Sequence, residues 1–374
     1  MSNTLKQKSF PNLDKIRGIA ALSVVLYHVI ELTQWADYPT SGLMVWGRIG
    51  WMGVDIFFVL SGMVITHSAY LLYENDKINW ITAYWTRRLC RIAPLYFMTC
   101  AIFITLVQPQ WIHLSISKLL WHMGTHLLFI HNLFPGTHGS LNGANWSIGL
   151  EMQFYALITF ILPWIIRRNT LTLLVIFLVT SWIWRGLTFL ALRDQEANLI
   201  FQYSTQLPGT IDQFGIGIVL CKALNDKNNA FENILKKRPI ALLTGSSVLF
   251  SLMLYLYFMN STYWNSFFMV VFFRTLIGFS AACLILTSIF CIRNKHRIFT
   301  EPLDFLGKIS YGIYLWHLPV IISLQRIDTK TGYEFLGKTI TLTIFLAIVS
   351  YYLFEKLWMR TKHLHVVANH LSAP

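Results

Sequence analysis

The 374-residue chain is 55% hydrophobic and 15% aromatic, and only 13% of its residues are charged. A soluble domain carries about a quarter charged residues, so this composition excludes an ordinary water-facing surface and predicts one that faces lipid. The formal net charge of +13 sits in short clusters between apolar runs with no basic aromatic module, which fits positive-inside topology and argues against nucleic acid as a partner.

A helix needs about 20 apolar residues to cross the hydrocarbon core. Ten stretches meet that need, near 15–34, 49–72, 92–108, 147–166, 171–192, 206–224, 239–259, 265–291, 304–324 and 336–358. The expected fold is therefore an all-α, polytopic membrane helix bundle with about ten transmembrane helices. Residues 117–133 are apolar but shorter and rich in histidine, which predicts an interfacial or re-entrant segment. The first apolar run is too long for a secretory leader and lacks a small-residue cleavage site. The chain ends soon after the tenth span, so one transmembrane domain over 1–374, with no separate extracytoplasmic domain, is expected. Five cysteines without paired spacing indicate neither a disulfide framework nor a zinc site.

Loop charge orients the spans. Lys6, Lys8, Lys15 and Arg17 precede the first, and Lys77, Arg87, Arg88 and Arg91 precede the third. Later clusters are Arg167 and Arg168; Lys222, Lys227, Lys236, Lys237 and Arg238; Arg293, Lys295 and Arg297; and Lys356, Arg360 and Lys362. With ten crossings all six clusters share one side, the cytoplasmic one, and both termini lie there.

Titratable groups at membrane depth are costly and mark tasks. Here they are His28, Asp55, Glu151, Arg185, Asp212, Arg274 and His317. Arg17 and His28 are eleven residues apart, so they share a helix face and lie about 16 Å apart along its axis. Arg17 reads as a rim charge and His28 as a buried neutral imidazole able to accept a proton; a topology charge and a carbonyl-satisfied histidine are the plainer readings. In "TRRLCRIAPLY", Arg88 and Arg91 sit one turn apart at the entrance of the third span and offer forked donors suited to phosphate, although topology alone also explains them. Ser61 in "FVLSGM" reads as half of a small Ser-Gly pair at a close helix contact, not as a nucleophile.

The motifs "LDKIRGIAALSVVLYHV", "GVDIFFVLSGMVI", "RRLCRIAPLY", "NWSIGLEMQFY", "LPGTIDQFGIGIVL" and "ISYGIYLWHLP" occur in that order from Leu13 onward. Together they resemble the membrane acyltransferase 3 family, bacterial O-acyltransferases that modify cell-surface polysaccharides and other acceptors. Lys15 replaces a usual glycine, and Met152 stands where a second glutamate is frequent, leaving Glu151 alone. The resemblance implies an inner-membrane enzyme, with membrane lipid around it, moving an acyl group, most often acetyl, from cytoplasmic acyl-CoA to a hydroxyl of a surface glycan or lipid-linked sugar such as the O-antigen of lipopolysaccharide. It implies functional roles for Arg17, His28, Arg88 and Arg91. Arginines would hold the CoA head, and His28 would either deprotonate the acceptor or carry the acyl group.

The remaining groups are assigned by position. Glu151, about one turn below the outer surface, could orient an imidazole or bind acceptor hydroxyls; a helix-start carboxylate is the alternative. Asp55 invites the same choice, and both join His28 as catalytic candidates. His317, about 20 Å into its span, is deep enough to neighbour His28 and is expected in a structural or supporting role beside the substrate. Arg274 and Arg185 are expected to balance Asp212 or Glu151 or to line an acceptor path, and Trp146 joins the substrate-binding candidates. His113, His122, His126, His131 and His138 are expected in polar interface near the acceptor, and His122 with His126 lacks the further ligands a metal needs. The competing class is a proton-coupled transporter using the same His, Glu and Arg groups, which the lack of a visible inverted repeat disfavours.

Overall fold

The computed structural model describes residues 10, 12–35, 45–226, 230–260, 263–291, 297–327 and 332–358. The basic residues Lys6, Lys8, Lys227, Arg293, Lys295, Arg360 and Lys362 lie outside the described residues. Within the described residues every regular element is helical.

The longer helices are α1 (Leu13–Leu32), α2 (Gly53–Asn75), α3 (Trp80–Ile102), α4 (Ile116–Leu127), α5 (Trp146–Arg167), α6 (Thr170–Leu192), α7 (Leu207–Leu224), α8 (Pro239–Met259), α9 (Arg274–Phe290), α10 (Arg297–Lys308), α11 (Ser310–Ile327) and α12 (Tyr333–Ser350). Among the described residues, eight helical segments are long and apolar enough to cross a membrane, and there are nine if the bent pair α10–α11 counts as one span. The expected first span, α1, has the length of a crossing, but Asp14, Lys15, Arg17 and Glu31 keep it out of that count. The outward faces stay apolar: Phe160 is 79% exposed, Ile240 75% and Val248 68%. Such a surface fits lipid and not water.

Two expected spans change shape. The stretch 304–324 is split between α10 and α11, which are apolar enough for a span only when taken together. The third span begins at Trp80, well before its apolar run, and its arginines are internal to a helix instead of preceding one. Asp76 holds the turn that leads into that helix by accepting from the Ile78 and Asn79 backbone N–H groups, both at 3.0 Å. As expected, the histidine-rich stretch makes no crossing: α4 has 12 residues, about 18 Å of helix against a hydrocarbon core of about 30 Å.

The chain divides into two compact units. The first holds residues 1–19, 55–64 and 167–308, the second 20–54, 65–166 and 309–374. The first unit's core joins Val59, Leu60 and Met63 of α2 to Ile216 and Leu220 of α7 and Ala281 and Ile285 of α9. A Cβ on Gly62 would collide with the Phe214 carbonyl, so this glycine sets the closeness of α2 and α7. The Ser61–Gly62 pair thus marks a close helix contact. In the second unit, Phe103, Val107 and Leu141 form a smaller apolar cluster.

Candidate active site

Within the second unit, α11 brings His317 against His28 of α1. Their rings lie 4.9 Å apart between centroids, and His317 Nε2 is 3.2 Å from His28 Nδ1. His28 Nδ1 also lies 3.0 Å from the Val24 carbonyl oxygen, and His317 Nδ1 lies 2.5 Å from that of Tyr314. His317 is fully buried, whereas His28 is only partly so.

Tyr314 is itself held. Its hydroxyl donates to the Ala144 carbonyl at 3.0 Å and lies 2.6 Å from Ser147 Oγ. Asn142 Nδ2 donates to the Leu315 carbonyl at 3.0 Å. Pro319 explains that bond: it has no N–H to return to Leu315 four residues earlier, and Asn142 supplies the missing donor. Residues 142–147 therefore clasp α11 at the turn that carries His317.

Glu151 and Arg88, expected near opposite membrane faces, are neighbours through one tyrosine. The Tyr155 hydroxyl donates to Glu151 at 2.7 Å, and the Arg88 guanidinium lies 5.8 Å from the ring centres of both Tyr155 and Tyr84. Arg88 also donates to Ser68 Oγ at 2.9 Å and is 9% exposed. The expectation of Arg88 at an open mouth gives way to a guanidinium packed between aromatic faces, because α3 starts two turns before it. Arg91 is half-buried, and the buried Glu355 feels its charge. Trp146 stacks on His138, with ring centres 5.7 Å apart.

Of the five histidines expected in polar interface, His126, His131 and His138 are buried, His122 is half-buried and His113 is exposed. His126 and His131 stack 3.9 Å apart at 10°. The Ser140 hydroxyl donates to the Thr137 carbonyl at 2.9 Å, so His126 Nε2–H donates to Ser140 Oγ at 3.0 Å and His126 Nδ1 accepts from the Tyr96 hydroxyl at 2.9 Å. The backbone of Asn145 favours the charged form of His131, but neither His131 nitrogen makes a hydrogen bond of ordinary geometry. Burial, aided by neighbouring imidazoles, pushes His126 down to about 2, and burial pushes His131 and His138 down to about 4. Among the described residues, no group of three or more His, Cys, Asp or Glu side chains is arranged to hold a metal.

In the first unit the membrane-depth charges pair off. Arg274 donates to Asp55 at 2.7 Å, and Gln213 Nε2 donates to the same carboxylate at 2.5 Å. Arg185 pairs with Asp212, and Thr275 donates to Asp212 at 2.5 Å. Asp55, Arg185 and Asp212 are fully buried. Asp55 and Arg274 thus satisfy each other, and they lie in a different unit from His28. At the start of α1, Arg17 pairs with Asp14 at 3.2 Å, and Lys15 approaches Asp304 at 3.4 Å. The unusual lysine thus has a carboxylate for a partner. Tyr314, Asn142 and Ser147 were not among the expected site residues; the one sequence signal for them is Pro319, which frees a carbonyl inside a helix.

Known proteins resemble the chain along nearly its whole length. A model of the acyltransferase domain family matches residues 10–355. YrhL of Bacillus subtilis is 26% identical over 370 residues, covering 94% of this chain and 55% of the relative. The O-acetyltransferase OatA of Staphylococcus aureus is 27% identical over 337 residues, 83% of this chain and 50% of the relative. The peptidoglycan O-acetyltransferase OatA of Listeria monocytogenes is 24% identical over 333 residues, 84% and 50% respectively. The chain spans about half the length of the curated relatives it matches. No solved structure matches it. With the family model matched from before α1 to beyond α12, the chain belongs to the acyltransferase 3 family.

Proposed function

We propose that the protein is a multi-pass O-acyltransferase of a bacterial cytoplasmic membrane. It moves an acyl group, acetyl in the first instance, from cytoplasmic acyl-CoA to a hydroxyl of a cell-surface glycan. Both termini face the cytoplasm in this reading, and the matched residues act as one functional domain. The names of two relatives, an O-acetyltransferase and a peptidoglycan O-acetyltransferase, support acetyl transfer and make peptidoglycan the first acceptor to test. O-antigen and other surface polysaccharides are further members of the same chemical class.

The observation that carries the proposal is the state of His28. Its Nδ1 is engaged, while Nε2 makes no hydrogen bond among the described residues, on a ring that is only partly buried. A nitrogen so placed suits a general base. The acceptor hydroxyl gives its proton to His28 Nε2 as its oxygen attacks the thioester carbonyl. The carbon–sulfur bond breaks, and the departing CoA sulfur takes the proton from the imidazolium. Direct transfer uses one histidine once; carriage of the acyl group on Nε2 is the variant route through the same atom.

Arg91, in the same unit as His28, is the preferred phosphate holder, since it is half-buried while Arg88 is packed inside; the resemblance alone carries a donor-binding role for Arg17. Arg88 then acts by fixing Tyr155 and through it Glu151. Glu151 and Trp146 are assigned to the acceptor path. The Asp55–Arg274 pair is assigned to holding the first unit together.

Mass spectrometry of surface glycans from cells expressing the wild type, His28→Ala or neither chain tests the reading. Ester-linked acetyl on the glycan with the wild type alone supports it. Equal acetylation with His28→Ala contradicts the assigned base.

A further inference from the structure

We propose that His317 is the positioning residue for His28: a neutral imidazole that selects the tautomer of His28 and receives its Nδ1 proton in a hydrogen bond throughout the reaction. The inference rests on the proposed role of His28 as base and deepens it.

Counting donors fixes where the hydrogens lie. A carbonyl oxygen only accepts, so the contact with Tyr314 O at 2.5 Å requires His317 Nδ1 to carry hydrogen. The contact of His28 Nδ1 with Val24 O at 3.0 Å requires hydrogen there too. The remaining contact, His317 Nε2 to His28 Nδ1 at 3.2 Å, joins one protonated nitrogen to another that must accept. Its Nε2 is therefore bare, and His317 is the neutral Nδ1–H form. His28 shares one Nδ1–H between Val24 O and His317 Nε2, which leaves its own Nε2 as a lone pair. Only this pair of neutral tautomers satisfies all three contacts.

The consequence is chemical. When His28 Nε2 takes the acceptor proton, the imidazolium keeps its Nδ1–H pointed at His317 Nε2. An uncharged ring thus does the orienting work that a carboxylate does in other histidine-based sites, without burying a negative charge beside the base. Further contacts keep His317 still. Its Nδ1–H is tied to the backbone of Tyr314, and the Tyr314 ring lies 5.6 Å from its own. The Tyr314 hydroxyl is in turn fastened to Ala144 and Ser147. The Tyr27 and His28 rings pack edge to face, with centres 5.1 Å apart. Glu151, for which orienting an imidazole was one of several expected roles, accepts from Tyr155, while the contact to His28 Nδ1 comes from a second histidine.

The test uses the full chain reconstituted in liposomes with acetyl-CoA and peptidoglycan fragments, together with nitrogen-15 NMR of labelled histidine. In the wild type, the His28 spectrum is expected to show a single neutral tautomer with hydrogen on Nδ1. His317→Leu is expected to lower kcat roughly 100-fold, a share of what a general base contributes, to leave KM for acetyl-CoA within about twofold, and to mix the His28 tautomers. His317→Gln, whose Oε1 can accept where Nε2 did, is expected to restore a single tautomer and at least a tenth of the lost rate. Three results overturn the inference: hydrogen on His28 Nε2 in the wild type, an unchanged kcat in His317→Leu, or a lost rate in His317→Leu with an unchanged His28 spectrum. An active His28→Ala instead overturns the base reading itself. Because the spectrum does not depend on turnover, the two failures are distinguishable.

Discussion

At the residue scale, the membrane-depth charges divide into two groups with different tasks. Asp55, Arg274, Asp212 and Arg185 spend their charge on one another, in contacts of hydrogen-bond length and with almost no exposure. Removing one partner leaves the other charge buried and uncompensated, which costs about 3–5 kcal/mol in soluble proteins. Asp55→Ala is therefore expected to lower the midpoint of thermal unfolding in detergent sharply, and the double change Asp55→Ala, Arg274→Met to recover much of the loss. If the single variant melts like the wild type, the pair does not hold the first unit together. Which residues would be ionised at depth was legible in the sequence. Their pairing was legible only in part: Asp212 was among the partners expected for Arg185, whereas Asp55 was not matched to Arg274, because the partners lie 27 and 219 positions apart and helix packing selects among the possible matches.

At the element scale, α11 shows how a helix defect becomes a positioning device. Pro319 strips the Leu315 carbonyl of its helical donor, and Asn142 replaces it. Asn142→Ala leaves that carbonyl buried without a partner, with an expected loss of about 1–3 kcal/mol. Pro319→Ala supplies a backbone N–H, so in its background the loss from Asn142→Ala is expected to shrink to a fraction. A double-mutant cycle on thermal stability measures the coupling, and strictly additive losses contradict the account.

The segment joining α4 to α5 invites a different test. His126, His131 and His138 are held neutral in the fold with values far below the ordinary 6.5. The unfolded chain therefore binds more protons than the folded one below about pH 6.5, and stability falls as pH drops from there toward about 4. The slope is about 1.4 kcal/mol per pH unit for each histidine. His131→Phe keeps the stack, forfeits no hydrogen bond of ordinary geometry and is expected to flatten the pH dependence of the melting temperature; an unaltered slope contradicts the assignment. The sequence showed these histidines and the shortness of α4. It did not show their burial, because the stacking partner of His126 comes from beyond the end of its own helix.

At the scale of the whole molecule, apolar runs of sufficient length were readable directly, and all ten expected spans correspond to helices. Two deviated for one reason: polar residues inside a helix hide its true start or its bend. Trp80 to Cys90 reads as a loop by charge and proves to be the first turns of α3, and Glu301, Asp304 and Lys308 mark α10 before the bend. The candidate site was legible to the level of His28 and His317 as possible neighbours. The direction of the hydrogen bond between them needed three-dimensional contacts.

The central claim is that a donor on the cytoplasmic side supplies the acyl group and His28 accepts the acceptor's proton. It is tested most directly with sealed membrane vesicles of both orientations, given acetyl-CoA carrying a labelled acetyl group together with peptidoglycan fragments. The account predicts protein-dependent labelling of glycan only where acetyl-CoA reaches the cytoplasmic face, and none with His28→Ala. Labelling from the opposite face, labelling that survives His28→Ala, or a proton-coupled flux with no consumption of acetyl-CoA would contradict it.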